Sequence, residues 1–176
     1  LTLDSDMPPS LLFSALRQIN PAPYSSIFEF PKIDLIGVSP ELLFRLEDDL
    51  IIAEPIAGTR PRGANSSDDL ALENELINSP KERAEHAMLV DLCRNDIGKV
   101  AEYGTVHIDE YCRVDRYSAV MHLVSTVTGT LHPTKNILDI IKAMFPGGTI
   151  TGAPKPRTMW IINELETSYR GHYTGS

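Results

Sequence analysis

Four clusters of residues combine side-chain types and spacings that can carry chemistry. Glu82 and Glu85 stand three apart in a segment of helical composition, so their carboxylates share a face with Leu89. Such a pair can divide labour, one protonating a leaving group and the other holding a divalent cation through oxygen. Alternatively, Glu82 completes a capping box with Ser79, and Glu85 is a solvated surface charge. His122 alternates with Val120 and Val124 in an apolar run. It is either a core histidine with a satisfied hydrogen bond or a neutral donor facing a ligand. Residues 145–155 hold Gly147, Gly148, Thr149, Thr151, Gly152 and Ala153 just ahead of a helix. Backbone N–H groups at a helix start suit an anion, a carboxylate here; a glycine-rich connector is the alternative. A nucleotide P-loop is excluded, because Ala153 stands where the phosphate-binding lysine should follow Gly147-x4-Gly152. Lastly, residues 55–59 end a strand and open the basic run Arg60-Pro61-Arg62-Gly63, either a turn or an anion-facing rim.

The periodicity of the sequence supplies the elements that must position these groups. Leu12, Leu16 and Ile19 predict an amphipathic helix over residues 9–20, stopped by Asn20-Pro21-Ala22-Pro23. Short alternating or apolar runs at 26–30, 34–38, 42–46 and 50–53, the last two separated by Glu47-Asp48-Asp49, predict an antiparallel meander. A loop over 58–67 precedes a helix over 68–77. Ser79-Pro80-Lys81-Glu82 then opens a helix reaching Ile97, with Gly98 as a left-handed stop. Strands are predicted at 105–111 and 119–130, the second apolar on both faces and therefore central. A helix over 136–144, with Ile137, Ile140, Ile141 and Met144 on one stripe, a glycine-rich loop over 146–152 and a helix over 154–165 complete the order. Strands and helices in this sequence point to α+β rather than a doubly wound sheet.

Composition removes several classes of function. The chain has 176 residues, 42% of them apolar and 23% charged, which suits one globular domain or part of one and argues against disorder. No apolar run approaches the roughly 18 residues of a spanning helix. The first ten residues lack a signal-peptide layout, so no membrane is expected and the cytosol is the expected location. Sixteen basic residues against 24 acidic ones, a net charge of -8, argue against a nucleic-acid partner. Cys93 and Cys112 lack metal spacing and are expected to be reduced, small buried hydrophobes.

Taken together, Glu54-Pro55-Ile56-Ala57-Gly58-Thr59-Arg60-Pro61-Arg62-Gly63, the run from Glu82 to Asp96, Tyr117-Ser118-Ala119-Val120-Met121-His122-Leu123-Val124-Ser125 and the loop from Phe145 to Lys155 closely resemble the chorismate-utilising enzymes. The match is to the aminating branch, the component I subunits of anthranilate synthase and aminodeoxychorismate synthase, and it covers essentially the whole chain. The resemblance implies an anthranilate-synthase-like α+β fold, antiparallel sheets flanked by helices, with residues 1–176 as part of a single chorismate-binding domain incomplete at both ends. By the same resemblance Glu82 would be the general acid for the C4 hydroxyl of chorismate, Glu85 a Mg²⁺ ligand, and His122 a neighbour of the ring substituents. Gly58, Thr59, Thr149, Gly152 and Ala153 would line the chorismate pocket. Ammonia would come from a glutamine amidotransferase subunit or domain.

Some positions separate the branches. Many aminodeoxychorismate synthases carry a nucleophilic lysine where this chain has Ala57, which fits anthranilate synthase better. The 145–152 loop and the closing Tyr173-Thr174-Gly175-Ser176 are more similar to aminodeoxychorismate synthases, and the balance favours that branch, with anthranilate synthase as the alternative. Asn20-Pro21-Ala22-Pro23-Tyr24 resembles a tryptophan-holding motif of the family, so a non-catalytic ligand-binding fragment is the alternative of another class. Family members continue past the position of Ser176 with further metal-binding glutamates, so the chain by itself is expected to be inactive or very weak.

Overall fold

The computed structural model describes residues 5–172, which divide into two compact units, residues 5–41 with 170–172 and residues 42–169. In the first, helix α1 (Pro9–Ile19) ends where the Asn20 N–H bonds to the Leu16 carbonyl at 2.8 Å. Strands β1 (Tyr24–Glu29) and β2 (Asp34–Ser39) follow and pair antiparallel, with Ile27 opposite Ile36. They form a two-stranded sheet of their own. The four strands expected as one meander are therefore split, because the next two belong to the second unit. Residues 173–176, which the branch comparison drew on, lie outside the described residues.

The second unit is organised on one long strand. Strand β3 (Arg45–Glu47) turns through Asp48-Asp49 into β4 (Leu50–Ala53), with Asp48 in the left-handed region at φ 54°, which aspartate tolerates. After Glu54-Pro55 the chain resumes as β5 (Ile56–Pro61). Both β4 and β5 pair antiparallel with β7 (Val120–Thr130), one against Val127 to Thr130 and the other against Val120 to Val124. The other edge of β7 is taken by β6 (His107–Arg116). The expected central strand is thus central in fact, and its burial on both faces explains its run of valine, leucine and threonine.

Helices α2 (Ser66–Asn78) and α3 (Pro80–Gly98) pack on this sheet. Leu76 of α2 meets Met121 and Leu123, while Val90 and Ile97 of α3 join Ile51 and Val127 in the larger core. Helix α4 (Ile137–Met144), closed by an Asn136–Asp139 capping box, adds Ile140 and Met144 to that core. A four-residue helix α5 (Gly148–Thr151) and helix α6 (Lys155–Leu165) complete the unit. The α+β class stands, and no helix among the described residues is long and apolar enough to cross a membrane.

Three local expectations need correction. The loop expected from Gly58 is strand as far as Pro61, because pairing with β7 continues past an irregularity at Gly58. Gly98 stays inside α3, and the helix closes by short-range bonds from Lys99 N–H to the Asp96 carbonyl at 3.3 Å and Val100 N–H to the Ile97 carbonyl at 3.0 Å. The glycine-rich stretch contains the turn of helix α5 rather than open loop throughout.

The approach of α3 to β7 requires glycine at 129. A Cβ there would lie 2.7 Å from Ile97 Cγ2 and 3.2 Å from Ala101 Cβ. Gly129→Val is expected to cost about 1–3 kcal/mol of stability in denaturant unfolding, the usual range for overpacking a core. An unchanged midpoint would contradict this packing.

Candidate active site

The site is built around Gly58. Along β5 the register runs from Ala57 opposite Leu123 directly to Thr59 opposite His122, so Gly58 is an extra residue, a bulge, at φ 82°. Glycine reaches that conformation without steric cost, whereas an L side chain there is strained. A Cβ at 58 would lie 3.2 Å from both Cβ and Oε2 of Glu82 and 3.1 Å from Leu76 Cδ1. The bulge therefore lets α3 lay the Glu82 carboxylate directly on the backbone of β5.

Helix α3 begins at its expected cap, with Ser79 Oγ accepting from the Glu82 N–H at 3.4 Å. Only this half of the capping box forms. The Glu82 side chain turns to β5, where Oε1 accepts from Arg60 Nη1 at 3.2 Å, and the side chain is 14% exposed. Arg60 Nε donates to Glu75 Oε1 at 2.9 Å, and Nη1 also reaches the Thr59 carbonyl at 2.8 Å. Arg62 is engaged as well, on Asp69 through Nε at 2.9 Å and Nη2 at 2.7 Å and on the Tyr117 carbonyl at 2.8 Å. The Arg62 guanidinium and the Gly63 N–H hold the Asp69 carboxyl down at about 2. Both basic side chains thus brace β5 against the helices, which decides against the anion-facing rim.

His122 sits on the other side of the bulge. Its Nδ1 lies 2.9 Å from Thr59 Oγ1 and 3.4 Å from the Gly58 carbonyl, and its ring meets Tyr117 edge-on at 5.6 Å. Alternation along β7 turns it away from Met121 and Leu123, which pack on α2. His122 is half-buried, with polar partners, rather than enclosed in the core. A proton on Nδ1 satisfies both contacts as donor bonds and leaves Nε2 an acceptor; a proton on Nε2 makes Thr59 the donor and Nε2 a donor toward a ligand. No hydrogen bond joins Glu82 to His122 among the described residues, and Gly58 is the residue both approach.

The remaining candidates lie further along α3. Glu85 is exposed on the next part of the helix face. Among the described residues no group of three or more His, Cys, Asp or Glu side chains could hold a metal, so Glu85 offers one oxygen ligand and not a complete set. The 145–154 segment docks on the same stripe: a Cβ on Gly148 would lie 2.5 Å from Leu92 Cδ2 and 3.6 Å from Leu89 Cδ2. Leu89 and Leu92 follow Glu82 and Glu85 by one heptad each, so this segment sits about 10 Å down the helix from the carboxylates. Thr149 is exposed in α5, Gly152 ends it at φ 80°, and Ala153 is exposed beyond. The N–H groups of Ile150, Thr151 and Gly152 are turned inward onto the carbonyls of Gly147 and Gly148.

Fold and site define an α+β protein whose candidate active centre lies where a capped helix crosses a glycine bulge in an antiparallel sheet. The chain belongs to the family described as chorismate binding enzyme, whose profile matches residues 1–176. It is 60% identical over 176 residues to an anthranilate synthase component 1 of Haloarcula marismortui, covering 100% of this chain and 35% of that one. It is 54% identical over 168 residues to the aminodeoxychorismate synthase component 1 of Bacillus subtilis, covering 96% of this chain and 36% of that one. The crystal structure of anthranilate synthase component I from Streptococcus pneumoniae superposes with a TM-score of 0.85 at 40% identity, over 94% of this chain and 36% of that chain. The chain thus spans about a third of the length of the relatives it matches.

Sequence reasoning passed over a buried pair behind the site. His86, four residues after Glu82, is fully buried, with Nε2 2.6 Å from Ser125 Oγ, which also accepts from the Cys112 N–H at 2.9 Å. Its Nδ1 is buried without a hydrogen-bond partner among the described residues. The stripe His86, Leu89, Val90, Ile97 was the available signal. Burial pushes the His86 imidazole below its ordinary value of 6.5. Below pH 6.5 the unfolded chain takes up a proton that the native state resists, so stability falls as pH drops, by at most about 1.4 kcal/mol per pH unit for this group. Unfolding at pH 7.5 and 5.5 is expected to show a smaller acid loss in His86→Phe than in the wild type. Equal losses would contradict this assignment.

Proposed function

We propose that the protein to which this chain belongs aminates chorismate, with Glu82 as the general acid. The observation that supports this reading is the placement of Glu82. Its Oε1 is taken by Arg60, while Oε2 lies over the glycine bulge, 3.2 Å from where a Cβ on Gly58 would stand. A guanidinium only donates, so the oxygen that delivers a proton is Oε2. That proton goes to the C4 hydroxyl of chorismate, which departs as water while ammonia supplies the new C–N bond. His122, held by Thr59 and the Gly58 carbonyl, presents Nε2 to the ring substituents. Thr149, Gly152 and Ala153 complete the pocket wall from the α5 side. A glutamine amidotransferase is the proposed source of ammonia.

Magnesium belongs to the same proposal. Glu85 would hold it, and the ion would offset charge on the substrate carboxylates. The described residues do not by themselves make a full coordination set, and none of the proton transfers above runs through the metal.

Two products are in play, each favoured by particular observations. The character of the 145–152 loop favours 4-amino-4-deoxychorismate. Ala57 is 7% exposed against Leu123 and supplies no nucleophile, and the Haloarcula relative is an anthranilate synthase, both of which favour anthranilate. Incubating the full-length protein with chorismate, ammonium and magnesium separates them. Anthranilate released with pyruvate identifies one branch; a product that yields p-aminobenzoate only after a separate lyase identifies the other. In either case Glu82→Gln is expected to lower kcat by about 10²–10⁴-fold with the fold kept, since the Ser79 cap bonds the backbone N–H and not the carboxylate. Full turnover by Glu82→Gln, or no amination by the wild type, would overturn the reading.

A further inference from the structure

Lys155 opens α6 yet is 8% exposed, and its ammonium is directed inward. Nζ donates to the Met144 carbonyl at 2.7 Å and pairs with the carboxylate of Asp96, itself 3% exposed. Lys99 Nζ holds the other Asp96 oxygen at 2.7 Å. Met144 is the last residue of α4, and its carbonyl is among those a helix end leaves unpaired. A cation there complements the helix dipole. One ammonium thus joins the end of α4, the start of α6 and α3, closing the ten-residue segment 145–154 at both ends, while Gly148 against Leu92 pins its middle to α3.

A buried ion pair is a poor device for stability alone, because well-packed apolar side chains of similar volume do as well or better. Its attested use is to fix register. We infer that Lys155 is a positioning residue: through Asp96 and Met144 it sets the height of the 145–154 segment along α3, and hence the distance between Thr149, Gly152, Ala153 and the Glu82 carboxylate. The functional consequence rests on the chorismate reading given above.

The test uses the full-length protein as wild type, Lys155→Met, and the apolar double variant Lys155→Met/Asp96→Leu. Lys155→Met is expected to raise KM for chorismate about tenfold or more while kcat falls no more than about threefold, since misplacing a binding segment by about 1 Å already costs much. The double variant is expected to recover thermal stability without recovering KM. A role confined to stability makes the opposite demand, that KM return with stability, and that result overturns the inference even if the single variant fails to fold. Amide exchange in the absence of chorismate gives a readout independent of activity. The Gly152 N–H, bonded to the Gly148 carbonyl, is expected to exchange at least about tenfold faster in the double variant with β7 amides unchanged. Unaltered exchange at Gly152 overturns the inference as well. Failure of the wild type to use chorismate would instead defeat the functional reading and leave the exchange comparison to decide the role of Lys155.

Discussion

The contact of Gly58 with Glu82 is the constraint on which the site depends. A Cβ at 58 would crowd Leu76 of α2 and both ends of the Glu82 side chain at 3.1–3.2 Å, on a backbone at φ 82° that strains any L side chain. The same bulge resets the β5–β7 register so that Thr59, not Gly58, stands opposite His122. One backbone irregularity therefore does two things: it admits the carboxylate, and it pairs the hydroxyl with the imidazole. Strand β7, hydrogen-bonded to β4 and β5 along one edge and to β6 along the other, makes the irregularity durable, since slipping its register would break these ladders together.

Charge in this protein is used locally. The net charge of -8 would repel a dianionic ligand at long range. The basic groups near the site do not reverse this, because Arg60 is held by Glu75 and Glu82, Arg62 by Asp69, and Lys155 by Asp96. Each of these pairs joins elements that the chain separates, β5 to α2 and α3, or α6 to α3. They fix geometry, and under the chorismate reading the attraction for the substrate must come from groups other than these.

Much of this was legible in the residues. Periodicity and caps placed α1, α3, α4 and β7 nearly where they lie, because those elements combine a strong pattern with a strong stop or start: Ser79-Pro80 for α3, Asn136 with Asp139 for α4. The glycine at 98 misled, since a helix end can close by short-range bonds with no left-handed residue. Partnership was the harder matter. Glu82 could cap its own helix or leave it, and local spacing cannot choose between them. The choice is made by Arg60, twenty-two residues earlier on another element. His86 and Lys155 were overlooked for the same reason: polar side chains become buried only when distant groups such as Ser125 and Asp96 arrive to receive them.

The most direct test of the central claim is a crystal structure of the full-length Glu82→Gln protein with chorismate and magnesium bound. The expected result has the C4 oxygen of the substrate within hydrogen-bond distance of the residue 82 side chain above Gly58, with His122 Nε2 against the ring substituents and Gly152 along the opposite wall. Chorismate bound away from the β5 bulge, with residue 82 still turned to Arg60 and no substrate oxygen near it, would contradict the account.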